Sequence, residues 1–359
     1  MLTNEQRECF ALKPIQGDWE CIEAKASPYD HHKTYLYLDG DIVVKCIGIG
    51  DKEYSEYELN EAVSADRKLL LPKTPKGKPV ILSSSTIAKR TRLGMCLGFG
   101  NKNIDLYNTA AEASYFNNRY LEKNITDIND FFRWVEDWCA NTSEADKADV
   151  QRFAEKGCKH VKLREGDVFR FKIDRRRYGY GRLLLSFAQM RKKKEPFWDI
   201  LMTKPLVCSA YRIITERTDV SVDELRTLGS LPSAVICDNA LYYGEYEIIG
   251  NIPITEHEDY PIMYGRSISF GDNAICYQCG RVFRRLEVGE LLYGGFINNG
   301  VSFSLNVTAP VLEKCVEAGS NEPYWAEYFP RQCEADLRNP MHADKLCEIR
   351  RQFGLENGG

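Results

Sequence analysis

From residue 161 to about residue 290 the chain is a succession of short β-prone runs, each ended by glycine, proline or charge. They read VKLREGDVFRFKI, RYGYGRLLLSFAQM, PFWDILMT, AVICD, YYGEYEIIG and NAICYQCGRVFRRLE. Consecutive strands with short turns and few helices between them build an antiparallel sheet. Gly166 divides the first run into a strand pair or a bent strand, and the next two runs read as one strand each. Glycine inside a strand marks a bend or a close backbone approach, so the sheet is expected to be curled at its glycines. Ser221 is placed to cap a short helix through VDELRTL.

The preceding residues mix the two periodicities. In TYLYLDGDIVVKCIGI (34–49), Asp39-Gly40 lies between two β-rich runs, a hairpin signal. In SEYELNEAVSADRKLLL, Tyr57, Leu59, Ala62 and Val63 read as a helix. PKTPKGKP (72–79) must end it, because proline lacks an amide donor. Ser83 to Arg90 starts another short helix. The clearest helix lies behind Thr126-Asp127, where Ile128, Phe131, Phe132, Val135 and Trp138 form one apolar stripe. Residues 142–158 are charged and weakly amphipathic, a connecting helix with Gly157 as its stop. Beyond residue 300, APVLEKCVEAG and PMHADKLCEIRRQFG read as helices.

The expected class is α+β. An α+β domain over 1–145 is followed by a connecting helix over 146–160. A β-rich antiparallel domain with a curled sheet over 161–300 precedes a helical tail over 301–359.

Composition narrows the function classes. A length of 359 residues suggests about two domains. No apolar run approaches the roughly 20 residues a membrane-spanning helix needs, so no membrane partner is expected. The N-terminus, MLTNEQRECFALKPIQGDWE, has no basic region followed by an apolar core. The 13 cysteines are an odd number spread along the chain, the pattern of buried free thiols in a reducing compartment. A cytoplasmic location is expected.

The residues offer little catalytic chemistry. Cys276-Tyr277-Gln278-Cys279 is a single CxxC whose cysteines fall on opposite faces of a strand, whereas zinc needs four converging ligands. His31-His32 are neighbours that point apart. GIGD (48–51), GFGN (98–101) and GYG (179–181) are glycine fragments that never complete a phosphate-binding fingerprint, and GxSxG is missing. Glu245 and Glu247 are expected on one strand face, more as solvated charge than as an acid/base pair. No metal, no cofactor and no catalytic residue is expected, and the chain is not read as an enzyme.

Charge supplies the one local asymmetry. The whole chain carries a formal charge of −4, yet residues 159–195 hold thirteen lysines and arginines against four acidic residues. The candidate partner-binding residues are Arg175, Arg176, Arg177, Tyr178 and Tyr180, with Lys192, Lys193 and Lys194. The two basic triplets would sit at turns, at the two ends of the strand between them. Such a segment meets phosphates of nucleic acid, meets an acidic protein surface, or is solvated loop charge. No recognised nucleic-acid module surrounds it.

The run LREGDVFRFKIDRRRYGYGRLL (163–184) resembles the opening of the immunity protein 26 family of bacterial polymorphic toxin systems. The resemblance covers roughly 160–290 and is clearest in its first twenty residues. It rests on the Gly-Asp-Val-Phe start, a short apolar strand and the Tyr-Gly-Tyr-Gly-Arg run. It implies an immunity protein that binds one cognate toxin, encoded by a neighbouring gene, and blocks it by protein–protein contact. The alternative from another class is a nucleic-acid-associated protein using the basic segment 159–195.

Overall fold

The computed structural model describes residues 1–26, 32–72, 74, 76–121, 124–199, 204–266, 273–296, 300–305, 307–318 and 334–355. The chain divides into two compact units, Met1–Lys159 and His160–Gly359. The mixture of antiparallel sheets with a few helices is the expected α+β class.

The first unit is built on a seven-stranded antiparallel sheet. Its strands are β1 (Glu20–Glu23), β2 (His32–Asp39), β3 (Ile42–Gly50), β4 (Glu53–Ala62), β7 (Leu93–Gly100), β8 (Asn103–Asn108) and β9 (Ala113–Asn117), in that order. A short helix, α1 (Asn4–Glu8), precedes β1, and a two-stranded ribbon, β5 (Leu69–Leu70) and β6 (Val80–Ile81), with a short helix, α2 (Ser84–Ile87), lies between β4 and β7 in sequence. The expected hairpin forms, with Asp39 paired to Ile42 across a Gly40-Asp41 turn in which Gly40 has φ +57°. Ser83 caps α2, so the short helix expected after Ser83 forms.

Both faces of this sheet are covered. On one face Tyr54, Leu97, Phe99 and Leu106 meet α3 (Ile128–Ala140), whose Phe131, Val135 and Trp138 are buried. The Phe131 ring stacks on Phe99 at 5.3 Å and on Tyr54 at 4.9 Å. The stripe that predicts α3 is therefore the stripe it buries, and Asp127 caps it by accepting from the amides of Asn129 and Asp130. On the other face Leu36, Leu38, Cys46, Tyr57 and Leu59 pack with Ile87.

The helix expected across 55–71 is a strand instead. Tyr57, Leu59 and Val63 differ by even numbers and share one face of the sheet, which is strand periodicity. A bulge between Glu56 and Glu58 blurs the alternation on the other face. The helix α4 (Glu144–Ala154), capped by Ser143, ends at Ala154, three residues before Gly157.

In the second unit five strands order as β13-β12-β11-β10-β14: β10 (Asp167–Lys172), β11 (Tyr178–Ser186), β12 (Leu206–Ala210), β13 (Ala234–Ile236) and β14 (Glu247–Asn251), all antiparallel. The helices α5 (Phe187–Lys192), α6 (Val222–Arg226) and α7 (Asn239–Tyr242) connect them. A three-stranded sheet follows, β15 (Ile262–Arg266), β16 (Ile275–Cys279) and β17 (Val282–Leu286). Then come α8 (Ala309–Ala318) and α9 (Ala343–Gln352), the two helices expected beyond residue 300. Ile349 of α9, with Phe353, packs on Tyr264 and Tyr277 of the three-stranded sheet.

Three local readings change here. SFAQM leaves the second strand at Ser186, whose hydroxyl caps α5. Pro196 to Asp199 form no strand, and the rest of PFWDILMT lies outside the described residues; Trp198 is buried with Leu184, Phe187 and Met190, and its backbone amide donates to the Gln278 side chain at 2.8 Å. In YYGEYEIIG the first tyrosine closes α7 and β14 begins only at Glu247. Glu245 thus lies in the turn before the strand, and Glu247 is paired with Arg170, so the two do not share a strand face.

Candidate functional site: the basic hairpin and its sheet

The site begins with a packing device. Across β10 and β11, Phe169 is paired with Gly181 and Phe171 with Gly179. A β-carbon on Gly179 would stand 2.5 Å from the Phe171 ring. One on Gly181 would stand 2.5 Å from the Phe169 ring and 2.7 Å from the Ser209 carbonyl. The glycines expected to curl the sheet therefore make room for two rings. Phe169 stacks on Tyr246 at 5.3 Å and is fully buried.

The turn before β10 is fixed as tightly. Gly166 has φ +90°, and a β-carbon there would stand 2.4 Å from the Ile252 carbonyl. Only glycine tolerates both. Asp167 is buried and spends its carboxylate on the Arg164 amide at 2.7 Å and the Asn251 side chain at 2.9 Å.

Gly-Asp-Val-Phe and Tyr-Gly-Tyr-Gly are thus two halves of one strand pair. Residues 164–275 match the family model of Immunity protein 26. The segment matched to immunity protein 26 contains the whole five-stranded sheet, the three helices that connect it, and β15. Comparisons with curated proteins and with solved structures give no match.

The basic residues are distributed around this sheet. Arg175, Arg176 and Arg177 form the β10–β11 turn, where Asp174 accepts from the amides of Arg176 and Arg177 at 2.9 and 2.8 Å. Arg176 is exposed, whereas Arg175 and Arg177 are half-buried. Arg177 is bound by Asp174 and by Glu313 of α8. Tyr178 is half-buried between two cations: the Arg170 guanidinium lies 4.9 Å from its ring centre and the Lys172 ammonium 5.7 Å. Tyr180 is fully buried, and its hydroxyl donates to the Arg217 carbonyl at 2.8 Å. It supports the turn from beneath and presents nothing to solvent.

Lys192, Lys193 and Lys194 close α5 and are all exposed, with Lys194 at φ +60°. No ion pair holds them among the described residues. The arginine turn precedes β11 and the lysine turn follows it through α5, so the nine residues of the strand lie between them in sequence.

Sequence reasoning missed the acidic partners. Arg170 pairs with Glu247 at 2.6 Å, Arg182 with Glu258 at 3.0 Å, and Arg177 with Glu313. These pairs join residues up to 136 positions apart, so no local signal could reveal them. Arg281 takes up Glu165 and Glu195, two of the segment's own four acidic residues, so the basic excess of 159–195 is only partly offset.

The remaining motifs hold no assembled chemistry. Cys276 and Cys279 belong to two different apolar clusters on opposite faces of β16, as the alternation predicts. Burial pushes the Cys279 thiol up, away from the thiolate that metal or redox chemistry needs. Among the described residues no three histidine, cysteine or carboxylate side chains converge to hold a metal. No described helix is long and apolar enough to cross a membrane. His31 lies outside the described residues.

Proposed function

We propose that this chain is an immunity protein that binds a cognate bacterial toxin, the product of an adjacent gene, and neutralises it by protein–protein contact without catalysis. The observation that carries this reading is the family match over the five-stranded sheet. The exposed lysine turn at 192–194, with Arg176 and Tyr178 at the other end of β11, supplies the contact residues. Cations of this kind steer an acidic partner into register and speed encounter more than they add affinity. A standard interface needs only about 800 Å² per partner.

The test is co-expression with the product of the adjacent gene, followed by affinity purification and gel filtration. A stoichiometric complex with that product is the expected result. Absence of a complex, with nucleic acid co-purifying and binding that weakens steeply with salt, would favour the nucleic-acid alternative instead.

A further inference from the structure

The first unit carries a cavity, lined by polar side chains together with apolar ones such as Tyr57, Ile87 and Ala88, that neither the family match nor the proposed function uses. On the α2 face of the sheet, two rows of residues run across five neighbouring strands in register. One row is Thr34, Gly48, Ser55, Gly98 and Asp105; the next is His32, Gly50, Glu53, Gly100 and Asn103. Polar residues on β2, β4 and β8 therefore alternate with glycines on β3 and β7. GIGD and GFGN, incomplete as phosphate loops, are the glycine strands of this pattern.

The β7 glycines form an open floor. A β-carbon on Gly100 would meet nothing within 4 Å, and one on Gly98 would come only within 3.9 Å of a single backbone oxygen. Both have ordinary strand backbone, so larger residues would fit there and would be better strand formers. Bare glycine in a strand costs stability and marks a place where another group approaches closely. The cavity above has a volume of about 380 Å³, within the size range of small-molecule sites.

Its walls define the chemistry. Strands β4 and β8 flank the floor, roughly 10 Å apart, and present carboxylates from both sides, Glu53 and Asp105. Glu53 is bonded to the His32 imidazole at 2.8 Å, and Asp105 accepts from Ser114 at 2.6 Å. Burial pushes the Asp105 carboxyl up, so hydrogen-bond donors arriving at it would be rewarded. The Arg92 guanidinium, 4.4 Å above the Tyr57 ring, supplies a counter-charge at the rim. Two carboxylates repel phosphate, and the guanidinium opposes a second cation.

We propose that this cavity binds a neutral, hydroxyl-rich ring molecule, hydroxyls on its opposite edges donating to Glu53 and Asp105 and its flat face lying on Gly98 and Gly100. A free monosaccharide and the ribose of a nucleoside share that chemistry.

Calorimetric titration of the full chain tests it, with glucose, ribose, N-acetylglucosamine and adenosine as probes and with inorganic phosphate and putrescine as charged controls. Saturable binding of at least one neutral probe is expected, and the sugar and nucleoside arms separate the two sources. Gly100→Val should abolish that binding while leaving the circular dichroism and melting temperature unchanged or higher. Asp105→Asn should weaken it by about tenfold or more. Failure of every neutral probe to bind, binding only of a charged control, or undiminished binding to Gly100→Val would each overturn the proposal. The site lies in the first unit, so these outcomes are independent of toxin binding.

Discussion

Phe169 and Gly181 face each other across β10 and β11, with the phenyl ring 2.5 Å from where a β-carbon of the glycine would stand. Phe171 and Gly179 repeat the relationship one step along the same strand pair. The two sequence motifs are therefore complementary surfaces: the strand with bulky rings needs a neighbour without side chains.

That complementarity can be read by double mutation. Gly179→Ala should destabilise the protein by about 1–3 kcal/mol through overpacking against Phe171. Adding Phe171→Leu to Gly179→Ala should cost less than the sum of the two single changes. Urea unfolding of the four proteins in the cycle measures the coupling, and strict additivity would remove the ring-over-glycine explanation.

A buried ion cluster stabilises the first unit conditionally. Arg7 and Lys45 each approach Glu56 to 2.7 Å, and Tyr54 donates to it at 2.6 Å, all within the core. Burial alone would raise the Glu56 carboxyl, but Lys45 and Arg7 outweigh it and hold it below the ordinary 4.5. Glu56→Gln should cost about 3–5 kcal/mol at neutral pH, since it strands two buried cations. The folded carboxyl binds its proton less readily than the unfolded one. Its contribution is thus present above about pH 4.5 and should be lost as pH falls through the lower folded value. A pH series of urea midpoints for the parent and Glu56→Gln checks this.

Glu58, two residues on, has the opposite sign. Burial raises its carboxyl above 4.5, ahead of the opposing pull of Lys45 and Lys13. Its ionisation therefore costs stability as pH rises through the raised value, and Glu58→Gln should stabilise the protein at pH 7. That gain should vanish as pH falls to about 4.5. Equal gain at both pH values would assign the effect to something other than ionisation.

At the proposed contact surface, the two basic turns should separate. Reversing charge at Lys192, Lys193 and Lys194 should slow association with the toxin and flatten its salt dependence, with folding unchanged because none of the three is ion-paired among the described residues. Reversal at Arg177 should instead lower stability, because Asp174 and Glu313 lose their partner. Surface plasmon resonance at two ionic strengths, alongside thermal melts, distinguishes the two behaviours.

What the sequence made legible follows the range of the interactions. The α3 stripe, the Asp39-Gly40 hairpin, the short helix beginning at Ser83, the caps at Asp127 and Ser221 and the opposite-face cysteines of β16 are all set within a few residues. The strand at 53–62 was not, because both faces of its sheet are covered and a bulge shifts its phase. The acidic partners of the basic segment and the two glycine rows come from strands far apart in the chain. Tyr180 shows the same limit: its spacing from Tyr178 is plain, but burial of one and exposure of part of the other depends on what packs above the sheet.

The most direct measurement is growth of bacteria that express the adjacent gene's product, with and without this chain. The product alone should arrest growth, co-expression should restore it, and the two proteins should elute together in a stoichiometric complex. Arrest that persists despite abundant folded chain, or rescue without any complex, would contradict neutralisation by direct contact.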